Sequence, residues 1–255
     1  MKAVRVHKYG GPEVLTNEDI PVPQPKTGEA RVKIEAIGLN AEPDSEDFKK
    51  VSEVFDRAVG ELKAAGAEIV DPIAIPKIKE LLAKRSGGPG ETDQSFKNYY
   101  GRSASAPFKT PEEAIASPDF GKVVKRSQDR FKRIPDANKH YESLKAQDEL
   151  MTIFLKVLAD HKLDAIVHKA VEHQPTLIKD GVNPPFVDQK GAPHLNTFLV
   201  YVPTIVVPAG FTRDNLPAGV CFIGRPYDDG NLIKFAYAYE QATRHRRPPP
   251  STTAL

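Results

Sequence analysis

Cysteine is almost absent from the sequence and tryptophan is missing altogether. Cys221 is the only cysteine among 255 residues, so no intramolecular disulfide can form and a cysteine-based zinc cage is excluded. This cysteine usage fits a reducing environment, and we expect a cytoplasmic protein. No apolar run approaches the roughly 18 residues that a transmembrane helix needs, and the first residues lack the apolar stretch of a signal peptide. We therefore expect neither a membrane span nor export by that route.

An excess of charge of one sign is also lacking. The chain has 36 Lys and Arg against 34 Asp and Glu, a formal net charge of +2. Nucleic-acid binders usually carry a strongly basic surface, so the charge balance argues against a nucleic-acid partner. The basic residues between 122 and 133 have Asp129 among them and are typical of a solvated helix face.

Proline, by contrast, is abundant. The 23 prolines exceed the average of about 5%, which would be roughly 13 here. Pro21, Pro23 and Pro25 alternate and keep the first part of the chain extended, because each restricts its own φ and that of the residue before it. Alternation over 30–39 predicts a half-buried strand. The N-terminal part is therefore predicted to form a small β element.

From Ser45 onward the apolar residues recur at helical spacing, which predicts an amphipathic helix of about 20 residues that ends at Gly66. A brief strand is predicted at 67–70 and a shorter helix at about 77–84, followed by a loop over 86–94. A long helical stretch is predicted after Pro118, with an interruption near Pro135. Its second part has an apolar face made of Tyr141, Leu144, Leu150, Ile153, Phe154, Val157 and Leu158.

Short apolar runs at 164–167, 204–207 and 220–223 predict buried strands. A last helix is predicted at about 229–243, with Leu232, Phe235, Ala236 and Tyr239 facing inward. Residues 170–196 have little periodicity, and so long a loop in a compact domain indicates a functional element. The predicted fold class is α/β, a mixed sheet flanked by helices with the small β element at one edge.

The larger part of the chain carries several motifs of one family. They are Leu163-Asp164-Ala165-Ile166-Val167, Val207-Pro208-Ala209-Gly210-Phe211, Leu216-Pro217-Ala218-Gly219-Val220, Ile223-Gly224-Arg225-Pro226 and Tyr239-Glu240-Gln241-Ala242-Thr243. In order and spacing these motifs resemble the C-terminal end of amidase-signature enzymes, and the resemblance covers most of residues 44–249. It implies hydrolysis of amide or ester bonds by a nucleophilic serine. In that family a second serine, which lies on a cis peptide, and a lysine activate the nucleophile. In that family these residues lie upstream of the part matched here, so we expect this chain to lack the Ser-Ser-Lys core.

The first forty residues resemble a different family. Met1-Lys2-Ala3-Val4-Arg5-Val6-His7, Gly10-Gly11-Pro12-Glu13-Val14-Leu15 and Gly38-Leu39-Asn40 are similar to the N-terminus of quinone oxidoreductases of the medium-chain dehydrogenase/reductase superfamily. That resemblance implies NADPH, but the chain has no G-x-G-x-x-G or similar run to bind its pyrophosphate. We therefore expect no cofactor. The two resemblances predict a boundary between an oxidoreductase-like segment, 1–43, and an amidase-like lobe, 44–255.

Three serines are candidate nucleophiles. Ser103 and Ser105 lie in a Gly-Arg-Ser-Ala-Ser stretch similar to the Gly-x-Ser-x-Gly elbow, although no buried strand leads into it. Ser86 lies beside Gly87-Gly88, whose amides could stabilise an oxyanion. The alternative interpretation is a polar loop at 103–105 and a helix-terminating loop at 86–88.

His168 and Asn196 are candidate substrate-binding residues. His168 follows a predicted strand, and strand C-termini in open α/β sheets are where ligands bind. The resemblance implies that this segment lines the substrate channel and that Asn196 lies near the pocket; a structural amide is the alternative for Asn196. His168, Glu172 and His173 have a spacing that does not favour a metal site, so no metal is expected.

Three functions remain open. The first is an amide or ester hydrolase that acts on a small molecule with a serine from 86–105. The second is a non-catalytic lobe that binds a small molecule or a partner protein, and the third is an NADPH-dependent quinone reductase. We also expect self-association, since a lobe without its catalytic half would expose an apolar face.

Overall fold

The structure is a computed structural model that describes residues 2–6, 15–19, 42–86, 91–122, 125–132, 136–184, 187, 191, 195, 198–199 and 201–249. Its strands are β1 (Lys2–Val6), β2 (Leu15–Asp19), β3 (Ile166–Lys169), β4 (Thr204–Phe211) and β5 (Pro217–Ile223). Its helices are α1 (Glu46–Ala64), α2 (Ile78–Ala83), α3 (Glu91–Tyr100), α4 (Pro111–Ala116), α5 (Lys125–Lys132), α6 (Ala137–Asp160), α7 (Ile178–Val182) and α8 (Asp229–Thr243).

The strands form two separate sheets. β1 and β2 pair antiparallel and form a small N-terminal β element. The sequence predicts this element at one edge of the larger sheet, and that placement is wrong for the described residues, where the two strands form a sheet of their own. The other sheet has the order β3-β5-β4, and both of its described pairings are antiparallel, with Val167 opposite Phe222 and Val206 opposite Cys221. A β-bulge between Pro208 and Gly210 shifts the register of β4.

Two hydrophobic clusters cover the two faces of the three-stranded sheet. On one face α1 and α8 pack against Ala165, Val167 and Phe222. On the other face α2 and α6 pack against Ile166 and Ile223. Neighbouring residues of β3 therefore point into different clusters, as the period of two along a strand requires. These contacts confirm the predicted α/β class with a sheet flanked by helices.

Local sequence explains where α1 begins and how it ends. The Ser45 side chain accepts a hydrogen bond from the Phe48 amide at 3.3 Å, and Glu46 and Asp47 complement the helix dipole in the first turn. Gly66 has a φ of +96° just beyond the last turn, a conformation that glycine adopts without strain. The predicted helix and its end are confirmed.

Some predicted element boundaries are wrong. Residues 67–70 form no strand; Ala67 and Ile69 pack against the α1 and α8 cluster without joining a ladder. Residues 91–94, predicted as the end of a loop over 86–94, belong instead to α3. The strand predicted at 164–167 runs instead from Ile166 to Lys169.

The predicted inner face of α6 is only partly correct. Leu150, Phe154, Val157 and Leu158 are buried, but the Tyr141 and Leu144 side chains are 61% and 45% exposed. In the first turns the buried stripe runs instead through Ser143 and Ala146. The stripe through Tyr141 and Leu144 and the stripe through Ser143 and Ala146 are adjacent on the helix and have the same spacing. The apolar period alone therefore cannot show which of the two is buried.

The other long elements agree with the sequence analysis. α8 has the predicted bounds, and its four predicted inward residues are buried. The strand predicted over 30–39 lies outside the described residues. Within the part of the chain that the structure describes, no helix is long and apolar enough to span a bilayer.

Candidate active site

Polar side chains are concentrated in the core at one end of β3. His168, Lys169, Glu172, His173 and Gln174 are all buried, the first three at 1%, 4% and 1% exposure. We call these five residues the polar cluster. Burying such groups is costly unless they are paired, so a protein interior seldom collects them without a functional or structural reason. The polar cluster is therefore the candidate active site.

Strand alternation places Lys169 on the same side of the sheet as Val167, which faces α1. There the Lys169 ammonium donates a hydrogen bond to Ser52 Oγ at 3.0 Å. The same nitrogen lies 3.6 Å from the centroid of the Phe48 ring. Phe48 and Ser52 are four residues apart on α1 and so share one helix face. A buried cation is thus held between a hydroxyl and an aromatic ring.

His168 points to the opposite side of the sheet. Its Nδ1 lies 2.8 Å from the carbonyl oxygen of Lys169, and since a carbonyl can only accept, Nδ1 is the protonated nitrogen in this contact. In the sheet register His168 lies opposite Cys221, which is also buried. The structure therefore places His168 in the polar cluster, but on a different face of β3 from Lys169.

A glycine packs closely against the polar cluster. The carbonyl oxygen of Gly191 accepts a hydrogen bond from the Glu172 amide at 2.9 Å. A Cβ at Gly191 would lie 2.5 Å from His173 Cδ2 and 2.9 Å from Glu172 Cβ, and the residue has a φ of +68°. Only glycine can bring the backbone this close in that conformation. Gly191 thus sets the position of Glu172 and His173.

A hydrogen-bonded network forms the rim of the polar cluster. Gln174 Nε2 donates to Thr212 Oγ1 at 2.7 Å, and Lys50 Nζ donates to Gln174 Oε1 at 3.4 Å. Lys50 also forms an ion pair with Asp214 at 2.6 Å. The hydrogen bond from Lys50 lowers the pKa of Asp214, and the same bond raises the pKa of Lys50. The rim joins α1 to the β4–β5 turn.

Ser103 and Ser105 are brought together, but at the surface. Their hydroxyl oxygens are 3.1 Å apart in the turn between α3 and α4, and both residues are exposed. Lys109 Nζ donates to the backbone carbonyl of Ser103. Two serines and a lysine are residue types that hydrolytic active sites use. Solvent reaches all three here, whereas an active site excludes water.

Ser86 lies on another element, directly after α2. Its amide donates to Ser143 Oγ at 3.1 Å, and its carbonyl oxygen is 3.3 Å from His140 Nδ1. Both partners belong to α6, so these contacts attach the end of α2 to that helix. Asn196 lies outside the described residues. Within the described ranges, no group of three or more His, Cys, Asp or Glu side chains could hold a metal ion.

Sequence reasoning missed the Ser52 and Lys169 pair. A signal was present on each element: Lys169 continues the inward alternation of Ala165 and Val167, and Ser52 is on the face of Phe48 and Phe55. A charged residue at an inward strand position and a hydroxyl on an inward helix face each point to a buried polar contact. Their mutual contact spans 117 positions and depends on how α1 packs on β3.

A three-stranded sheet between two helical layers defines an α/β domain, and its buried polar groups lie at the end of β3. Comparison with known proteins identifies which family this domain represents. A model of the family described as Amidase matches residues 14–233, and the chain belongs to that family. The match begins at residue 14 and so includes part of the predicted N-terminal segment, 1–43.

Curated relatives support this assignment. A glutamyl-tRNA(Gln) amidotransferase chain of Brucella canis is 30% identical over 246 residues, which cover 89% of this chain and 49% of that protein. A probable amidase of Arabidopsis thaliana is 26% identical over 214 residues, or 78% of this chain and 38% of the relative. The chain thus spans about half or less of the length of these relatives.

Solved structures show the same fold. A peptide amidase in complex with the competitive inhibitor chymostatin superposes with a TM-score of 0.59 at 21% identity, over 88% of this chain and 45% of that chain. At this identity the similarity concerns the fold alone. It agrees with the α/β arrangement of the sheet and helices described above.

Proposed function

We propose that this chain takes part in the hydrolysis of amide or ester bonds of a small molecule, which binds at the polar cluster. The observation that carries the proposal is a set of buried polar side chains at the carboxyl end of β3, within a chain that belongs to the amidase family. A desolvated site strengthens hydrogen bonds to a polarised carbonyl, which hydrolysis of an amide requires.

The residues of the polar cluster suit an amide or ester ligand. On the side of α1, Gln174 can donate to a carbonyl oxygen and Lys169 can stabilise developing negative charge. His168, on the other face of β3, gives its Nδ1 proton to the Lys169 carbonyl and can accept a hydrogen bond through Nε2. His168 and Asn196 remain the predicted substrate-binding residues, and Ser86, Ser103 and Ser105 remain predicted nucleophiles. The surface position of Ser103 and Ser105 would require a substrate or a partner to cover them during reaction.

The test uses the purified full chain with an activated ester and an anilide as substrates. A serine-directed phosphonate is then applied, and the labelled peptide is mapped by mass spectrometry. Turnover together with a labelled serine supports the hydrolase. If neither turnover nor labelling occurs at any concentration of chain, the hydrolase proposal is rejected.

A non-catalytic lobe that binds a small molecule or a partner protein is the second candidate. The exposure of Ser103 and Ser105 favours it, since a nucleophile in open solvent gains little from its surroundings. This candidate predicts that a small amide raises the melting temperature, since a ligand that binds only the folded state stabilises it. It also predicts no turnover of either substrate.

The N-terminal resemblance supports a separate proposal. We propose that residues 1–43 form a β segment distinct from the lobe at 44–255, and that this segment shares its sequence pattern with quinone oxidoreductases. A reductase function would require NADPH to bind. A rise in melting temperature with NADPH would support that function, and an unchanged melting temperature would reject it.

We also propose that the chain self-associates and that it acts in the cytoplasm. Apolar side chains at the surface support self-association: Tyr201 is 76% exposed, Val206 on β4 is 56% exposed and Tyr227 is 98% exposed. Exposed apolar groups of this kind often belong to interfaces. Light scattering at micromolar concentration should give a mass above that of one chain, and a well-behaved monomer would contradict the proposal.

A further inference from the structure

We propose that the loop after the polar cluster binds an apolar acyl group of the amide or ester ligand. The inference rests on the proposed function, since it takes the carbonyl end of that ligand to lie at the polar cluster. Four exposed aliphatic side chains carry it, and we call them the loop patch: Leu177, Ile178, Val182 and Val187. They lie within 170–196, the segment whose lack of periodicity indicates a functional element.

The loop patch is connected to the polar cluster at both ends of the loop. The chain leaves the polar cluster at Gln174, and Leu177 follows three residues later, so their Cα atoms are at most about 11 Å apart. The chain returns at Gly191, whose carbonyl accepts the hydrogen bond from the Glu172 amide and whose backbone packs against His173. Surface loops whose ends meet are frequently functional. A ligand at the polar cluster can therefore extend to the loop patch.

Backbone hydrogen bonds hold the loop patch together. The Asp180 amide donates to the Leu177 carbonyl at 2.9 Å, within the turn that forms α7. Ile178 and Val182 are four residues apart on α7 and so lie on one face. The Val187 amide donates to the Asp180 carbonyl at 2.8 Å, which brings Val187 back to α7. The four aliphatic side chains thus belong to one surface.

Exposed aliphatic side chains at this place favour an apolar ligand group. The Ile178 side chain is 83% exposed, so a ligand group that covers it removes apolar surface of both partners from water. A short amide held at the polar cluster alone would gain little from apolar burial. Small-molecule sites commonly combine a few polar groups that orient the ligand with an apolar surface that supplies affinity.

The size of the loop patch favours a ligand group over a second copy of the chain. A stable subunit interface buries about 800 Å² on each partner and involves about 20–30 residues a side. The loop patch consists of four aliphatic side chains, which suits a group the size of an acyl chain. The self-association proposed above is supported by other exposed residues, Tyr201, Val206 and Tyr227.

The test measures the binding of linear primary amides to the purified full chain by calorimetry. Propanamide and heptanamide share the amide group and differ by four methylene groups. We expect the dissociation constant to fall at least about 15-fold from propanamide to heptanamide, because burial of each methylene contributes about two- to fourfold. Binding is the readout because it does not require turnover.

Two isoleucine variants locate the apolar contact. Ile178→Ser should weaken the binding of heptanamide about fivefold and leave that of propanamide unchanged. Ile233→Ser is the matched control, since Ile233 is 49% exposed on α8 and lies outside the loop patch, and it should bind both amides like the wild type. Both side chains are exposed, so we expect little change in melting temperature. Should Ile178→Ser fail to fold, Leu177→Ser tests the same surface.

The outcomes distinguish this inference from the proposed hydrolase. Affinity that does not depend on acyl length, or an equal loss in Ile178→Ser and Ile233→Ser, overturns the inference even if the chain hydrolyses an activated ester. Length-dependent binding that is lost in Ile178→Ser supports the inference even without turnover, in which case only the hydrolase is rejected. A lower mass of Ile178→Ser in light scattering, with unchanged binding of both amides, would identify the loop patch as a subunit contact and overturn the inference. Binding of neither amide overturns both the inference and the ligand site at the polar cluster.

Discussion

The hydroxyl of Tyr239 donates a hydrogen bond to Glu61 Oε2 at 2.6 Å, and this contact joins α8 to α1 across 178 positions. His245 Nε2 lies 2.9 Å from both oxygens of the same carboxylate. Burial, and then the bond to Glu61, raise the pKa of Tyr239 well above its ordinary value, so the phenol remains a donor at neutral pH. The two helices that cover one face of the sheet are thus connected by a polar contact as well as by apolar packing.

Tyr239→Phe should therefore destabilise the fold. The variant keeps the ring in the core but leaves Glu61 without one donor, and a hydrogen bond to a charged group is worth about 2 kcal/mol. Urea denaturation should show this loss in the free energy of unfolding. Tyr237→Phe, on the same helix but outside this contact, is the control, and equal losses in both variants would contradict the role of the bond.

The pair between Lys50 and Asp214 should make stability depend on acid pH. Folding lowers the pKa of Asp214, so its stabilising contribution is present above the ordinary value of 3.8 and is lost as the pH falls through the lowered folded value. The difference in urea midpoint between wild type and Asp214→Asn should shrink between about pH 7 and about pH 2. A difference that stays constant over this range would refute the effect.

The same pair can be tested residue by residue. Lys50→Met removes the main cause of the shift, so the pKa of Asp214 should rise toward 3.8 in that variant. Nuclear magnetic resonance of the carboxyl carbon measures this directly. Gln174 also hydrogen-bonds Asp214, so Gln174→Leu should give a smaller rise.

Gly191→Ala should disturb the polar cluster. The added methyl would overlap His173 and Glu172, and alanine is strained at a φ of +68°. We expect a loss of more than about 1 kcal/mol of unfolding free energy. Gly60→Ala is the matched control, since nothing lies within 4 Å of its added Cβ in α1, and there we expect a gain of about 0.5–1 kcal/mol. Equal effects of the two substitutions would contradict the close approach at Gly191.

Substitution of two leucines tests which face of α6 is buried. Leu150 is fully buried, so Leu150→Ala should cost about 2–5 kcal/mol through lost contacts and a cavity. Leu144 is 45% exposed, and Leu144→Ala should change stability by no more than about 0.5 kcal/mol. Thermal or urea unfolding distinguishes the two, and a large loss in Leu144→Ala would restore the predicted face.

Local patterns located the long helices and the strands of the larger sheet, although the bounds of β3 and part of the inner face of α6 were wrong. α8 has the bounds that its apolar spacing predicts, and the strands at 204–207 and 220–223 are parts of β4 and β5. In these segments the spacing of the apolar residues and the flanking prolines and glycines favour the same structure. The strand predicted at 67–70 failed because a short apolar run forms a strand only when a neighbouring strand pairs with it, which a local pattern cannot show.

The candidate site was only partly visible in the sequence. The sequence predicts His168 just after a strand, whereas the structure places it within β3, buried in the polar cluster, and its role in substrate binding stays a prediction. Ser52 lies on the inward face of α1, which indicates a buried polar contact, but the local pattern does not identify Lys169, 117 positions away, as its partner. Ser103 and Ser105 did stand out by motif, and the structure places them in solvent.

Residues close together along the chain are enough to indicate the family, the α/β class and the apolar periods of α1, α6 and α8. The contacts of Lys169 with Ser52, of Tyr239 with Glu61 and of Gly191 with His173 instead join segments that are distant in the chain. These contacts depend on how helices pack on a sheet and on which stripe of each helix is covered. Free energy of packing, summed over many distant residues, selects that arrangement, so no single segment encodes it.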